Sequence, residues 1–364
     1  MGVRERVDAA IDAALVNRIV GCVVLISRGG QLTYARAAGL ADRETGRPMT
    51  LDQIFRLASV TKPIVATAIL RMADLGLLSV DDPVTKFLPW FTPKTRDGAT
   101  PIIRLRDLLT HTSGITYDVP ANVSPGMSGP ILSLEQNLKN LAAAPLAFAP
   151  GTAWAYGMSI DVLGGIAAAI TGSSLEEAVT KYVAGPLGMT NWGFHVADES
   201  RLAVPYGDGR PPIRMADPQI VIDDQGGKTT FSSGRILNRE APQSGGGGSA
   251  GTANDVLKVL EVYNGVGSLL KPETIKEALS NQIGTIPRRE SDAGKRFSFI
   301  GAVIDDPKAA KNPCPAGTVD WGGAWGHNWI VDPINRLTVV VCTNTAFEGC
   351  NGPFRDEIRD AVYG

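Results

Sequence analysis

The segment that begins at Ser59 combines a hydroxyl and an amine at a spacing suited to nucleophilic catalysis. Ser59 and Lys62 open an apolar stretch whose residue pattern predicts a helix over 61–74. Side chains three residues apart on a helix share one face and reach each other. The helix N-terminus adds unpaired N–H groups and a positive dipole end, which stabilise a developing anion. A lysine desolvated there would have a lowered pKa and would accept the serine proton, so the segment predicts an acylated serine.

The same S-x-x-K spacing occurs a second time, from Ser268 to Lys271. That match follows a glycine-containing turn and precedes Pro272, which predicts a turn leading into a surface helix. A lysine there would be solvated and charged, and therefore a poor base. The spacing alone is not specific, and the Ser59 segment needs support from other parts of the chain.

A tyrosine that could serve such a site precedes a predicted helix over 159–171. The phenol of Tyr156 could relay a proton between the serine and a leaving group. The alternative is structural, with Ser159 as a helix cap and Tyr156 as a packing aromatic.

Two adjacent glycines, Gly322 and Gly323, lie in a predicted strand near the C-terminus. Such a pair lets a ligand approach the backbone closely, although a β-bulge would give the same pattern. The next N–H, on Ala324, could join the N–H of Ser59 as the two donors of an oxyanion hole. His327 follows in the same strand region, where a histidine is more often structural than catalytic.

Together these segments resemble the family VIII carboxylesterases, which are relatives of class C β-lactamases and penicillin-binding proteins. The resemblance covers nearly the whole chain as an ordered series of motifs. Besides Tyr156 and the Trp-Gly-Gly at 321–323, these are RLASVTKPIV at 56–65, LLTHTSG at 108–114, FAPG at 148–151, PLGM at 186–189 and TNT at 343–345.

The resemblance implies a role for each matching position. Ser59 would be the nucleophile, and Lys62 and Tyr156 would share general base and acid duty. The N–H groups of Ser59 and Ala324 would form the oxyanion hole. The candidate substrate contacts are Tyr117 at the cleft rim, Asp161, Trp321, Gly322, Gly323 and His327.

Two positions depart from the β-lactamase pattern. That branch has Tyr-x-Asn, whereas Met158 stands in the third position here, so an amide that could hold a substrate amide is missing. The β-lactamase and peptidase branch has K-T-G on the third strand, whereas this chain has Trp321 there. The cation that would seat a substrate carboxylate is therefore absent from that position. Both departures resemble the esterase branch and predict hydrolysis of small or short-chain carboxylic esters.

The elements that must position these residues lie in a recognisable order. Strands are predicted near both ends, at 20–28, 31–39, 296–304, 318–324, 327–332 and 336–344, with short helices between them. Terminal helices are predicted at 3–18 and 353–363. The pattern predicts an α+β fold with one antiparallel sheet built from both chain ends. We expect residues 1–75 and 290–364 to form the sheet subdomain and 76–289 an inserted, mainly helical one, with the cleft between them.

Composition excludes several classes of protein. The 364 residues carry a formal net charge of −2, which gives no sign of a nucleic-acid partner. No run approaches the 18 apolar residues of a spanning helix, and the N-terminus lacks a signal-peptide pattern, so the cytoplasm is the expected compartment. No C-x-x-C is present, and the three histidines are far apart. We therefore predict free cysteines and no metal or other cofactor; the oligomeric state is not predicted.

Three alternatives stay open at this point. Gly247–Gly251 contains Ser249 in a G-x-S-x-G match to α/β-hydrolases, but that motif needs a preceding buried strand and none is predicted. An acyl-enzyme at Ser59 could also transfer its acyl group to an alcohol or amine, or act as a β-lactamase, peptidase or amidase. A ligand-binding sensor without turnover is the third, and an assay with a chromogenic short-chain ester separates it from the enzymes.

Overall fold

The structure, a computed structural model, describes residues 1–222 and 226–364. The α-helices are α1 Val3–Leu15, α2 Thr61–Asp74, α3 Leu105–Leu109, α4 Leu134–Ala142, α5 Ser159–Thr171, α6 Leu175–Val179, α7 Ala253–Val262, α8 Pro272–Leu279 and α9 Pro353–Tyr363. The strands are β1 Gly21–Arg28, β2 Gln31–Asp42, β3 Arg47–Pro48, β4 Ile54–Arg56, β5 Tyr206–Gly207, β6 Ile213–Arg214, β7 Gln219–Ile222, β8 Lys228–Phe231, β9 Ala250–Thr252, β10 Lys295–Phe297, β11 Ala302–Ile304, β12 Val319–Gly323, β13 His327–Asp332 and β14 Leu337–Thr343.

An eight-stranded antiparallel sheet forms the centre of the fold, in the order β10-β11-β12-β13-β14-β1-β2-β3. The first and last thirds of the chain meet where β1 pairs with β14, with Val23 opposite Cys342. The prediction of an antiparallel sheet built from both chain ends is therefore confirmed. The strand predicted over 296–304 is instead two strands, because Ser298 N–H donates to Gly301 O and reverses the chain between β10 and β11.

Helices cover both faces of the sheet, which explains why β1 reads as an unbroken apolar run. Alternate residues of β1 point to opposite sides. Val24 and Ile26 pack against α1 and α9, whereas Val23 and Leu25 pack toward α2 and the core that it shares with the middle of the chain. All of β1 except Arg28 is consequently buried.

Helix α7 packs on the central sheet. It packs against β1 and β14, although the sequence placed residues 76–289 in the helical part. Just beyond its end, Asn264 Nδ2 donates to Leu337 O at the start of β14. The sequence pattern of α7 gives only an amphipathic helix, and the surface that its apolar face covers is fixed by tertiary packing.

The stretch 205–250, whose conformation the sequence did not predict, carries small hairpins rather than a linker. Strand β5 pairs with β6, β7 pairs with β8, and β9 pairs with β4 immediately before the Ser59 segment. The last pairing joins the end of this stretch to the candidate nucleophile.

Within the described ranges, no single helix is long and apolar enough to cross a membrane. The bent pair Ser159–Thr171 and Leu175–Ala184, which turns by 81°, meets the length and composition criteria together. Its residues Ser159–Ala167 are buried inside the protein.

Candidate active site

Ser59 lies in a sharp turn between β4 and α2. Its predecessor, Ala58, has φ of 45°, a left-handed conformation that is uncommon for a residue with a side chain. A single 3-10 turn over Ala58–Val60 then leads directly into α2. A hydrogen bond from Leu57 N–H to Ser249 O, at 2.8 Å, stabilises the turn. The bend places Ser59 on the wall of the cleft, at the amino end of a helix.

Lys62 points back to the serine from the first turn of α2. Its Nζ donates to Ser59 Oγ at 3.3 Å, to Tyr117 Oη at 3.0 Å and to Gly246 O at 2.5 Å. An ammonium group has three N–H donors, and each of them finds an acceptor here. Only 4% of the residue is exposed. The geometry therefore holds the amine against the nucleophile.

The protonation of Lys62 differs from the sequence-based expectation. Burial by itself disfavours the ammonium form, and that was the reason for predicting a lowered pKa. The oxygens of Tyr117, Tyr156 and Asp161 outweigh the burial, so the pKa of this lysine is raised above its ordinary value. The expectation was wrong because the pocket is polar rather than apolar. The resting amine is a cation, which must lose its proton before it can accept one from the serine.

Two tyrosines flank the amine in different ways. Tyr117 reaches it with its hydroxyl, and burial of that hydroxyl raises the pKa of Tyr117 to about 12. Tyr156 instead offers the face of its ring, whose centroid lies 4.6 Å from Lys62 Nζ. The hydroxyl of Tyr156 accepts a hydrogen bond from Trp321 Nε1 at 3.0 Å. The sequence placed Tyr117 only at the cleft rim, whereas the structure makes it a direct partner of the lysine.

His111 holds the backbone on both sides of Tyr156. Gly157 N–H donates to His111 Nδ1 at 3.3 Å, and Ala155 N–H donates to His111 O at 3.0 Å. The imidazole packs on the tyrosine ring with 4.6 Å between centroids. Burial lowers the pKa of His111 well below its ordinary range, so its neutral ring can accept at Nδ1. The sequence signal for this contact is the histidine in LLTHTSG, one of the motifs that carry the family resemblance.

Gly323, the last residue of β12, brings that strand against the Ser59 turn. A side chain on Gly323 would place its first carbon 2.4 Å from Leu57 O and 3.1 Å from Val60 Cγ2. Ala324, the next residue, lines the same cleft as Ser59. The N–H groups of these two residues are the candidate oxyanion donors, and the glycine lets the strand come close enough for both to serve one carbonyl.

We therefore expect Gly323→Ala to lower kcat for ester hydrolysis by about 10²-fold, the scale of a displaced oxyanion donor. The added methyl group must push β12 away from the turn. Gly207→Ala is a matched control, since a carbon there meets its nearest neighbour at an ordinary 3.5 Å. Steady-state kinetics with thermal unfolding of each variant make the measurement. Full activity in a folded Gly323→Ala protein would refute a role for this close approach.

The cleft has a volume of about 580 Å³, which suits a small organic ligand. Of the sequence-predicted residues, Ser59, Tyr117, Tyr156, Trp321, Gly322 and Ala324 line it. Its walls also include groups that carried no sequence signal, among them Met127, Trp154, Lys228, Arg288, Arg289 and Phe347. These residues come from loops and from the β7–β8 hairpin, whose positions depend on tertiary folding alone.

Three predicted substrate contacts, Asp161, Gly323 and His327, are not among the residues that line the cleft. His327 is 1% exposed, and its Nε2 bonds to Arg56 O at 2.7 Å. Burial lowers the pKa of His327 to about 4, as expected of a neutral structural histidine. Asp161 is also 1% exposed and lies behind the 245–248 glycine run, where its Oδ1 accepts from Ser244 Oγ. Neither side chain is among those that line the cleft beside Ser59.

The competing serines occupy other environments. Ser249 is buried, and its Oγ lies 2.7 Å from Thr61 Oγ1 within the scaffold behind the nucleophile. The central sheet is antiparallel, so it cannot be that of an α/β-hydrolase. Ser268 and Lys271 are exposed near the start of α8. Neither alternative motif therefore forms a catalytic centre.

An antiparallel sheet with a serine and a lysine at the start of a buried helix defines a class of serine-reactive enzymes, and sequence comparison supplies the family. The β-lactamase family matches residues 7–362, and the chain belongs to it. Esterase EstB from Burkholderia gladioli is 44% identical, over 98% of this chain and 94% of the relative. Lovastatin esterase from Penicillium rubens is 27% identical, over 91% and 89%.

A solved structure of similar shape is that of EstCE1, described as a hydrolase with promiscuous acyltransferase activity. It superposes with a TM-score of 0.94 at 39% identity, over 100% of this chain and 98% of the other. The family resemblance inferred from the motifs is thus confirmed by both sequence and fold.

Proposed function

We propose that the protein is a serine carboxylesterase that hydrolyses small or short-chain esters through an acyl-enzyme on Ser59. The observation that carries the proposal is the 3.3 Å contact between Ser59 Oγ and Lys62 Nζ on the wall of a cleft of about 580 Å³. The likeness to two proteins named as esterases supports it. Intact mass after exposure to a panel of esters, with peptide mapping of the acylated residue, tests it directly.

The geometry supports a two-stage reaction. Once the coupled Lys62 and Tyr156 groups have lost one proton to solvent, Ser59 Oγ attacks the ester carbonyl carbon and its own proton passes to those groups. The carbonyl oxygen, now negative, accepts from the N–H groups of Ser59 and Ala324. Tyr156, oriented by the indole N–H of Trp321, returns a proton to the departing alcohol. Water then attacks the acyl carbon by the same steps in reverse and releases the acid.

The side chains around Trp321 favour esters over β-lactams. A β-lactam carries a carboxylate, which the lysine of the K-T-G motif would bind in the β-lactamase and peptidase branch. This chain has Trp321 at the position of that lysine. Other cations, Lys228 and Arg289 among them, line the cleft, but the two groups close to Trp321 that could replace the missing cation are His327 and Arg288. His327 is buried and neutral, and Arg288 is only 3% exposed, paired with Asp292 at 3.2 Å and stacked over Trp154. Neither offers a free charge to a substrate carboxylate.

We therefore expect kcat/KM for a p-nitrophenyl butyrate-type ester to exceed that for opening of a cephalosporin ring by at least about 10-fold. The missing charge-assisted bond is worth about 1–3 kcal/mol. Ring opening is followed by absorbance and separated from cleavage of any side-chain ester by mass spectrometry. Comparable values for the two substrates would place the protein with the β-lactamases or peptidases.

Acyl transfer is a second candidate activity on the same site. The acyl-enzyme does not dictate its acceptor, and the protein resembles EstCE1, a hydrolase with promiscuous acyltransferase activity. Adding a primary alcohol to the ester assay distinguishes the two, because transfer yields a new ester at the expense of free acid.

We further propose that the cleft separates a sheet subdomain, formed by residues 1–75 and 290–364 with α7, from a helical one formed by most of 76–289. The cytoplasm is the proposed compartment, because Cys22, Cys314, Cys342 and Cys350 are all free.

A further inference from the structure

A buried carboxylate lies directly behind the catalytic lysine. Asp161, on α5, is 1% exposed, and its Oδ1 accepts from Ser244 Oγ. Its other oxygen, Oδ2, is buried without a hydrogen-bond partner among the described residues. An unpartnered carboxylate oxygen in the interior is costly unless a positive charge compensates it.

The nearest compensating charge is Lys62, and a glycine keeps the space between them open. A first side-chain carbon on Gly246 would lie 2.3 Å from Asp161 Oδ2 and 3.4 Å from Lys62 Nζ. A single carbon atom would thus touch both groups, so Oδ2 and the ammonium face each other across this residue. The carbonyl of the same glycine accepts from Lys62, which fixes the separation. Two opposite charges about 4–6 Å apart stabilise each other's charged forms.

We infer that Asp161 is the buried counter-ion of Lys62 and a positioning residue for the reaction, not a substrate contact. Its carboxylate holds the ammonium of the resting enzyme in place. It thereby sets the pH at which the Lys62 and Tyr156 unit loses the proton that it must lose to act as a base. This inference deepens the proposed function and rests on it for the role of Lys62.

Other titratable groups around the lysine do not supply this charge. Burial raises the pKa of Tyr117 to about 12, so its hydroxyl is neutral and accepts a hydrogen bond from Lys62. Burial lowers the pKa of His111, which is therefore neutral as well. Arg235 is a cation that interacts electrostatically with Asp161, and its guanidinium donates to Ser124 Oγ at 2.8 Å. Among the described residues around Lys62, the tyrosine oxygens also favour its ammonium form, and the carboxylate of Asp161 adds the full negative charge of a counter-ion.

The test is the pH profile of kcat/KM in Asp161→Asn. The amide keeps the shape and removes the charge, so the pKa of Lys62 falls. We expect the acid limb of the profile, along which activity rises with pH, to move to lower pH by about one unit. Asp255→Asn is the matched control, because Asp255 is equally buried at 1% but caps α7 with Thr252. The acid limb of the Asp255→Asn profile should lie at the same pH as that of the wild-type protein.

A second variant tests the inference if Asp161→Asn does not fold. Ser244→Ala leaves the carboxylate but removes its hydroxyl donor, which weakens the charged form of Asp161. A smaller shift of the acid limb in the same direction is expected. An unchanged limb in both folded variants, or a shift to higher pH, would overturn the inference and leave Asp161 with a purely structural role.

The same profiles are measured for the rate at which a fluorophosphonate labels Ser59, a reaction that needs no natural substrate. If the wild-type protein is labelled but hydrolyses no ester, the proposed function fails while the role of Asp161 is still tested by the labelling limb. If esters are hydrolysed and neither profile shifts in Asp161→Asn, the inference fails alone.

Discussion

Ser59→Ala abolishes ester turnover, with kcat reduced by at least about 10³-fold, because the variant has no nucleophile on which an acyl-enzyme can form. The alanine methyl group fits a turn whose other contacts stay intact, since Leu57 still bonds to Ser249 O. We therefore expect the folded state to be retained. Steady-state kinetics with a chromogenic butyrate ester measure the loss, and intact mass shows whether an acyl group is still acquired.

Ser249→Ala is the matched control, because it removes a serine hydroxyl from the G-x-S-x-G segment of the same protein. Among the residues that the structure describes, the Thr61 hydroxyl is the one partner of its Oγ. We expect most of the activity to remain, together with a modest loss of stability of about 1 kcal/mol for the broken buried hydrogen bond. The reverse pattern, with Ser249→Ala inactive and Ser59→Ala active, would refute the assignment of the nucleophile.

The parts of this site that the sequence predicted are those that local rules determine. The spacing of Ser59 and Lys62 puts them on one face of a helix, and the structure shows the two atoms 3.3 Å apart. The strands near the chain ends pair as expected, because runs such as β1 carry an unmistakable apolar pattern. Motif order added the position of Tyr156 beside the lysine, which no local rule could supply.

The parts that the sequence did not predict depend on contacts between distant segments. The 245–248 glycine run looked like low-complexity sequence, yet Gly246 separates Asp161 from Lys62 and bonds to the amine. A run of four glycines indicates that the backbone packs closely against another part of the protein. It does not identify that part. The pKa of Lys62 was mispredicted for the same reason, because its sign depends on oxygens that lie 55 to 99 positions further along the chain.

Lys62→Ala and Tyr156→Phe are each expected to lower kcat by at least about 10²-fold, the usual scale for general acid–base groups. The alanine variant removes the only amine in contact with Ser59 Oγ among the described residues. The phenylalanine variant keeps the ring that packs on His111 and the lysine, but removes the hydroxyl oriented by Trp321. Steady-state kinetics and burst-phase amplitudes with an activated ester make the measurement.

The double variant distinguishes a shared function from two separate ones. If the lysine and Tyr156 pass one proton between them, losing the second group costs little once the first is gone, so the double variant should be only slightly slower than the worse single one. Additive losses would mean that the two groups act at different steps. Near-full activity in Lys62→Ala would make the lysine a structural cation and place the base elsewhere.

Tyr117→Phe distinguishes the role of Tyr117 from that of Tyr156. Its hydroxyl bonds to Lys62 at 3.0 Å, but Ser59 Oγ and Gly246 O still accept from the amine when that hydroxyl is lost. We expect a loss of only about 10-fold, the cost of one hydrogen bond to a charged group. A loss equal to that of Tyr156→Phe would mean that the phenol that bonds to the lysine, rather than the one that bonds to Trp321, carries the proton to the leaving alcohol.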